Sequence, residues 1–302
     1  MTTPSQGTAA SLPTGSVERL YRPPLVGFIA LVVVLLAMPL THSLSMLARS
    51  LSESVGLWLA YVPMGVAGLL LLIWGIRRNT EVAGTLIGFA CGLLLWTGWA
   101  AFSFRINEVS LDLPMPALND ATQWPVNLLF IQASLGICIV SMLYFILSRD
   151  TRCNAFLWLQ RRFRLDFGRP DSAQGRNYCR ITFIETVYVT WFCYGAALLL
   201  ADPRVVGYGT LLHYVLIGLL TVWGFYLLWR LFKFTRIMAA IRYAIPTKAI
   251  LWITFGEALP NYGWYDEVWL APLDHPGAML GALAVFAALF VITIFLPQRR
   301  KV

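Results

Sequence analysis

The chain has 302 residues, of which 58% are hydrophobic and only 13% are charged. Soluble domains usually carry about 25% charged residues, so this composition excludes an ordinary soluble protein and is typical of a surface that faces lipid. The net charge of +8 is compatible with nucleic acid as a partner. In a membrane protein, however, Lys and Arg collect on the cytoplasmic side. We therefore expect the lipid bilayer as a partner and no nucleic acid.

The first segment, residues 1–22, is a polar tail rich in Pro, Ser and Gly, and we predict that it is disordered. Several apolar runs behind it reach the roughly 20 residues that a helix needs to cross a hydrocarbon core about 30 Å thick. Seven runs are clear, at 24–46, 55–76, 82–104, 126–148, 181–201, 207–230 and 277–296. An eighth run, 243–262, is weaker because Pro246, Lys248 and Glu257 interrupt it.

The distribution of basic residues favours eight spans. With the N-terminus in the cytoplasm, eight spans place 20 of the 23 Lys and Arg on the cytoplasmic side, whereas seven spans place 17 there. Because Lys and Arg are enriched on that side of a membrane, we predict an all-α polytopic membrane protein with about eight transmembrane helices and both termini cytoplasmic. The expected location is a bacterial cytoplasmic (inner) membrane. We expect Lys248 to extend its head group to the cytoplasmic interface.

The domain organisation follows from these spans. A transmembrane helical domain at 23–297 lies between the tail at 1–22 and a short cytoplasmic tail at 298–302. The domain includes a basic cytoplasmic loop at 149–180 and an acidic, aromatic outer loop at 259–276.

The basic loop 149–180 carries eight arginines, and its stretch NAFLWLQRRFRL alternates apolar and basic residues at roughly helical spacing. The apolar residues would enter the membrane interface while the arginines meet anionic headgroups. The apolar set is Phe156, Leu157 and Leu159, and the basic set is Arg161, Arg162 and Arg164. We expect an anionic lipid or a protein partner here. The alternative is a basic loop without a specific partner.

Glycines recur every four residues in the third run, at Gly84, Gly88 and Gly92. Small residues at this spacing let transmembrane helices approach closely. A similar stripe in the last run consists of Gly277, Gly281, Ala284 and Ala288. We predict that both faces pack against other helices, either in this chain or in other membrane subunits.

Glu185 lies about five residues inside the fifth run, at a depth of roughly 8 Å by helix rise. An ionisable group in a span is costly and is therefore a functional candidate. We expect either a structural ion pair, with Arg180 or Arg236 as partner, or a place on a proton or cation path.

Met38, His42 and Met46 recur every four residues in the first run, so they would share one face of a helix. The other two histidines of the chain, His213 and His275, fall on the same outer side in the eight-span arrangement. Imidazole and thioether suit copper, and two facing imidazoles suit haem b. We therefore name Met38, His42, Met46, His213 and His275 as candidate metal ligands. His42 and His213 are the candidate cofactor-binding pair. The alternative is that the histidines only form hydrogen bonds at an interface.

The five cysteines are scattered singly, and motifs of common hydrolases, ATPases and zinc proteases are missing from the sequence. The main functional hypothesis is therefore a non-catalytic subunit or assembly factor of a membrane complex. The second hypothesis is a metal- or haem-binding membrane oxidoreductase or metal-handling protein. The third is a transporter or channel with Glu185 on its path.

Overall fold

The computed structural model describes residues 22–78, 80–111, 131, 134–148, 151, 154–165 and 176–295. These residues form helices and turns, and no strand occurs among them. The helices are α1 (Leu25–Val55), α2 (Leu57–Ile76), α3 (Glu81–Ser110), α4 (Leu135–Leu147), α5 (Asn154–Arg162), α6 (Tyr178–Ala201), α7 (Leu211–Leu231), α8 (Ile237–Asn261) and α9 (Pro276–Phe295). A short 3₁₀ turn at Val268–Leu270 lies between α8 and α9.

Seven of these helices, all except α4 and α5, are long and apolar enough to cross a membrane. The predicted all-α fold is thus confirmed for the described residues, and their seven long apolar helices are compatible with a polytopic membrane protein. The weak run 243–262 lies within α8, a helix of 25 residues, despite its Pro, Lys and Glu. The predicted span 126–148 lies partly outside the described residues, and so do almost all of the two tails. The count of eight spans and the cytoplasmic termini stay predictions.

The helices α1 and α3 both continue past the ends expected from hydropathy, which were residues 46 and 104. An ion-pair cluster joins the two extensions. Arg49 in α1 donates to Glu108 in α3 at 2.5 Å, and Arg105 lies 2.8 Å from the same carboxylate oxygen. Both arginines lie beyond the predicted apolar runs, and the paired charges let the helices continue past those runs. At 31 residues, α1 is about 46 Å long, which exceeds the hydrocarbon core.

The connection between α1 and α2 is a single residue, Gly56. Its φ of +88° belongs to a region that side chains with a Cβ rarely adopt. This conformation lets the chain reverse direction between two membrane-spanning helices without a loop.

The helix α8 is the centre of the bundle and packs against α1, α6 and α7. In its most apolar segment 78% of the residues are buried, compared with 6% in α9 and 11% in α7. Its apolar face, represented by Ile241 and Ile245, packs with Val33 of α1 and Phe89 of α3 in the main core. The polar side chains of Thr247, Lys248 and Thr254 on α8 are buried inside the protein.

Two helices contain a π-helical turn, Trp96–Ala100 in α3 and Ile253–Ala258 in α8. Such turns are rare and are frequent at functional sites. The polar residues of α8 near this turn are therefore candidates for a functional site.

Candidate functional site: a polar cluster between α1 and α8

Met38 and His42 lie one turn apart on α1, as their spacing predicts, and Pro39 does not interrupt the helix. The Nδ1 of His42 lies 3.0 Å from the carbonyl oxygen of Met38. Because a carbonyl only accepts, Nδ1 is the nitrogen that carries the hydrogen in this contact. The imidazole also stacks on the indole of Trp252 in α8, with 5.9 Å between ring centroids and 25° between planes. This face of α1 thus turns toward α8.

Lys248 in α8 meets the same face. Its side chain is only 2% exposed, and its Nζ donates to the Sδ of Met38 at 3.3 Å. A thioether is a weak acceptor, and the described part of the chain places no carboxylate within ion-pair distance of Nζ. The expectation that Lys248 reaches the interface is therefore wrong. The helices around α8 enclose the side chain, so that its head group stays in the interior.

Other groups act on this buried amine through space. The thiol of Cys193 in α6 and the imidazole of His42 both interact electrostatically with Lys248. The helices α1 and α6 therefore both contribute side chains that act on the Nζ of Lys248 in α8. We use the name α1–α8 polar cluster for Met38, His42, Lys248, Trp252 and Glu257.

Glu257 belongs to the cluster because of the π-helical turn. Its Oε1 accepts a hydrogen bond from the Nε1 of Trp252 at 2.9 Å. A π turn brings residue i+5 beside residue i, which gives these two side chains their register. Gly256 leaves room for the indole, because a Cβ at that position would lie 2.2 Å from the ring of Trp252.

A second carboxyl group lies beyond the C-terminal end of α8. Glu267, in the segment between α8 and α9, interacts electrostatically with Glu257. Burial raises the pKa of Glu267 to about 7. At neutral pH the carboxyl group of Glu267 can therefore take up or release a proton.

Glu185 in α6 does not pair with Arg236, one of its two expected partners. Arg236 contacts Glu81 of α3, and Arg242 of α8 lies 2.7 Å from the other oxygen of Glu81. Arg242 also interacts electrostatically with Glu185, as does Arg176. Glu185 therefore lies in the field of Arg176 and of Arg242, and Glu81 holds Arg242 in position.

His213 in α7 belongs to a separate cluster. Its ring is 1% exposed, and its Nδ1 donates to the carbonyl oxygen of Leu200 at 3.0 Å. Three tyrosine rings surround it at centroid distances of 4.9 to 6.2 Å, those of Tyr208, Tyr262 and Tyr214. Its Nε2 has no hydrogen-bond partner among the described residues.

The remaining candidate ligands lie elsewhere. His275 is exposed immediately before α9, and Met46 is partly buried two turns beyond Met38. Within the described residues, no group of three or more His, Cys, Asp or Glu has the arrangement of a metal site. The structure thus brings Met38 and His42 together with α8, and it places His213 among tyrosines. Copper or haem at the histidines stays a prediction.

The glycine stripe of α3 lies against α6. A Cβ on Gly88 would come within 2.4 Å of the backbone oxygen of Cys179, and one on Gly92 within 2.7 Å of Thr186. A Cβ on Gly84 would lie 2.9 Å from the Cβ of Tyr178. In α9, by contrast, Gly277 and Gly281 have no described atom within 4 Å of such a position.

Sequence reasoning missed Lys248 and Trp252 as site residues. The available signal was the weakness of the run 243–262, in which polar residues persist inside an otherwise apolar segment. Such weakness is typical of a buried helix, which can carry polar side chains that a lipid-facing helix cannot.

Comparison with known proteins finds no family model, no curated protein and no solved structure that matches the chain. The fold and the cluster define a polytopic α-helical membrane protein with ionisable side chains inside its bundle.

Proposed function

We propose that the protein conducts protons or small cations along α8. The observation that carries this proposal is the position of Lys248, whose amine is enclosed in the bundle with the sulfur of Met38 as its hydrogen-bond partner. A charged group in the membrane interior is costly, and ionisable residues at such depth are functional candidates by default.

The order of ionisable groups along α8 supports the proposal. Lys248 and Glu257 follow one another over about 14 Å of helix, nearly half of the hydrocarbon thickness. Arg242 lies about 9 Å further toward the start of α8, with its guanidinium held by Glu81. Glu185 lies beside the Arg242 end, and Glu267 lies beyond the Glu257 end. Chains of Asp, Glu and His serve as proton relays in membrane pumps and transporters.

A flux assay tests the proposal. The purified protein is reconstituted into liposomes, a pH or cation gradient is imposed, and internal ion activity is followed with a fluorescent dye. Wild type is expected to dissipate the gradient and Lys248→Met to lose most of this flux. Lys233→Met is the matched control, because Lys233 is exposed at the end of α7 over the ring of Trp229. Wild-type flux equal to that of empty liposomes for H⁺, Na⁺ and K⁺ alike contradicts the proposal.

The second candidate function is the non-catalytic subunit or assembly factor of a membrane complex. The exposed small-residue stripe of α9 supports it, because Gly277 and Gly281 leave space for a close-packed helix of another subunit. Gly281→Leu is expected to change the size of the native membrane complex, whereas Leu283→Ala, at an exposed position off the stripe, is expected to leave it unchanged. Equal migration of both variants contradicts this candidate.

A metal- or haem-binding function remains the third candidate. Its support is the shared face of Met38 and His42, whose thioether and imidazole suit copper. Metal content and the visible spectrum of purified protein test it, with His42→Ala and His213→Ala as the variants expected to lose the cofactor. Colourless, metal-free wild type from cells supplied with copper and haem contradicts it.

The proposed orientation has both termini in the cytoplasm of a bacterial inner membrane. The asymmetry of Lys and Arg supports it. The predicted cytoplasmic arginines Arg77 and Arg78 follow α2, and Arg236 precedes α8 and contacts Glu81 at the start of α3.

A further inference from the structure

The short helix α5 is fixed against the end of α4. The Nε2 of Gln160 lies 2.9 Å from the carbonyl oxygen of Ile146 and 3.0 Å from that of Ser148. The last carbonyls of a helix lack partners within the helix, so this amide caps α4. Gln160 therefore ties α5 to the end of an apolar helix.

Aromatic packing holds the same helix from its other end. The ring of Phe156 stacks on Phe145 of α4 with centroids 5.2 Å apart, and it lies 5.8 Å from Tyr188 of α6. Phe156 is buried by these contacts. The orientation of α5 is thereby determined by α4 and α6 rather than by the loop that contains it.

The outward side of α5 combines two kinds of residue. Trp158 is 59% exposed and Phe163, immediately after the helix, is 62% exposed. The arginines Arg161, Arg162 and Arg164 are exposed beside them. Large aromatic rings next to arginines are typical of helices that lie in the headgroup region of a membrane.

The surface of α4, the helix that precedes α5, also exposes apolar side chains. Val140 is 66% exposed, Leu143 46% and Leu147 55%, so α4 presents an apolar band that ends where α5 begins. Along the chain the exposed ring of Trp158 comes after this band, and Arg161, Arg162 and Arg164 come after Trp158. An apolar helix followed by an exposed tryptophan and then by arginines matches the order of acyl chain, interface and phosphate in a lipid leaflet.

We infer that α5 is an interfacial helix that binds anionic phospholipid, with Trp158 and Phe163 among the acyl chains and Arg161, Arg162 and Arg164 on the headgroup phosphates. Arginine suits this role because its planar guanidinium donates two parallel hydrogen bonds to a phosphate. A lipid is favoured over a protein partner because the basic residues continue a lipid-facing band. The inference is independent of the proposed ion conduction.

The test uses the full chain in detergent with phosphatidylglycerol and phosphatidylcholine added in equal amounts, and native mass spectrometry counts the bound lipids. Wild type is expected to retain phosphatidylglycerol preferentially. The triple variant Arg161→Gln, Arg162→Gln, Arg164→Gln is expected to reduce that preference by roughly tenfold or more, since each basic residue near an anionic surface contributes to binding. The triple Lys variant, which keeps the charge, should retain part of the preference.

Two controls make the result specific. The double variant Arg77→Gln, Arg78→Gln removes exposed arginines from the α2–α3 turn and should leave the preference unchanged. Trp158→Ser should weaken retention of both lipids, because it removes an apolar contact and no charge. Glycerol 3-phosphate, which has a phosphate without acyl chains, should not displace the bound lipid.

Two results overturn the inference. One is equal retention of phosphatidylglycerol and phosphatidylcholine by wild type, and the other is an unchanged preference in a monodisperse triple Gln variant. If wild type has no lipid preference while the arginine variants lose a defined protein partner, α5 is a protein-docking helix instead.

Discussion

The Nζ of Lys248 in α8 lies 3.3 Å from the Sδ of Met38 in α1, and this contact joins the most buried helix of the bundle to the first one. The sulfur compensates little for the water that the amine has lost, because a thioether is a poor hydrogen-bond acceptor. Lys248 therefore makes a weak contribution to folding for a residue in such a position. A lysine at this position is better explained by function than by stability.

Replacing Lys248 with Met should accordingly leave the fold intact or make it more stable. Met has nearly the same length, and it removes the desolvation of a buried amine, so we expect the free energy of unfolding to stay equal or to rise by about 1 kcal/mol. Thermal unfolding in detergent, followed by size-exclusion fluorescence, measures this change. A large fall in the midpoint would mean that the amine is a structural element. Lys233→Met, at an exposed site, should lower the midpoint only slightly, because it removes only the contact with the ring of Trp229.

Gly88→Leu should reduce the amount of folded protein in the membrane. A Cβ at Gly88 would lie 2.4 Å from the backbone oxygen of Cys179, so a leucine forces α3 and α6 apart. Overpacking of this kind typically costs about 1–3 kcal/mol, and backbone cannot move aside as a side chain can. Gly218→Leu in α7 is the control, because no described atom lies within 4 Å of its Cβ position. Equal accumulation of both variants would contradict the close packing.

The free energy of unfolding should decrease as the pH rises from about 4.5 to 7, and the titration of Glu267 should cause part of this decrease. Burial raises the pKa of this carboxyl to about 7, from an ordinary value of 4.5. The folded state therefore binds the proton more tightly than the unfolded state. The protonated Glu267 contributes its full stabilisation of the fold below pH 4.5, the ordinary pKa, and this contribution is lost as the pH rises through 7, the pKa in the folded state.

Glu267→Gln removes this titration. Because the side chain is only partly buried, we expect the variant to be more stable than wild type at pH 8 by about 1 kcal/mol, with the difference disappearing near pH 4.5. Unfolding midpoints of both proteins across this pH range provide the measurement. Parallel curves would show that the environment of Glu267 does not favour the neutral carboxyl. Asp266→Asn, at the exposed neighbouring position, should reproduce the wild-type curve.

The orientation can be tested with introduced cysteines. Asp266 is exposed between α8 and α9, and Arg78 is exposed between α2 and α3. If the basic residues are cytoplasmic, a membrane-impermeant thiol reagent applied to intact cells should label Asp266→Cys but not Arg78→Cys. Permeabilised cells, in which both positions should react, serve as the control. Labelling of Arg78→Cys alone from outside would reverse the proposed topology.

Local sequence properties determined the class of fold. Hydropathy is a property of each segment, so apolar runs of sufficient length predicted six of the seven long apolar helices. The distribution of Lys and Arg favoured the seventh, α8, despite its internal Pro246. The four-residue spacing of Met38 and His42 likewise placed both on one face of α1, since helical periodicity is local. Helix ends were predicted less well, because Arg49 and Glu108 prolong α1 and α3 by pairing across the bundle.

The choice of partners was decided only by the tertiary structure. Arg236 was a candidate ion-pair partner of Glu185, but the packing of the helices places it against Glu81 instead. The neighbours of the two candidate histidines also come only from the packing, since His42 stacks on Trp252 and His213 lies among tyrosines. The periodicity of a span specifies which residues share a face but not which helix that face meets. Depth in the membrane and helix adjacency together decide whether a polar side chain such as Lys248 reaches water or stays in the interior.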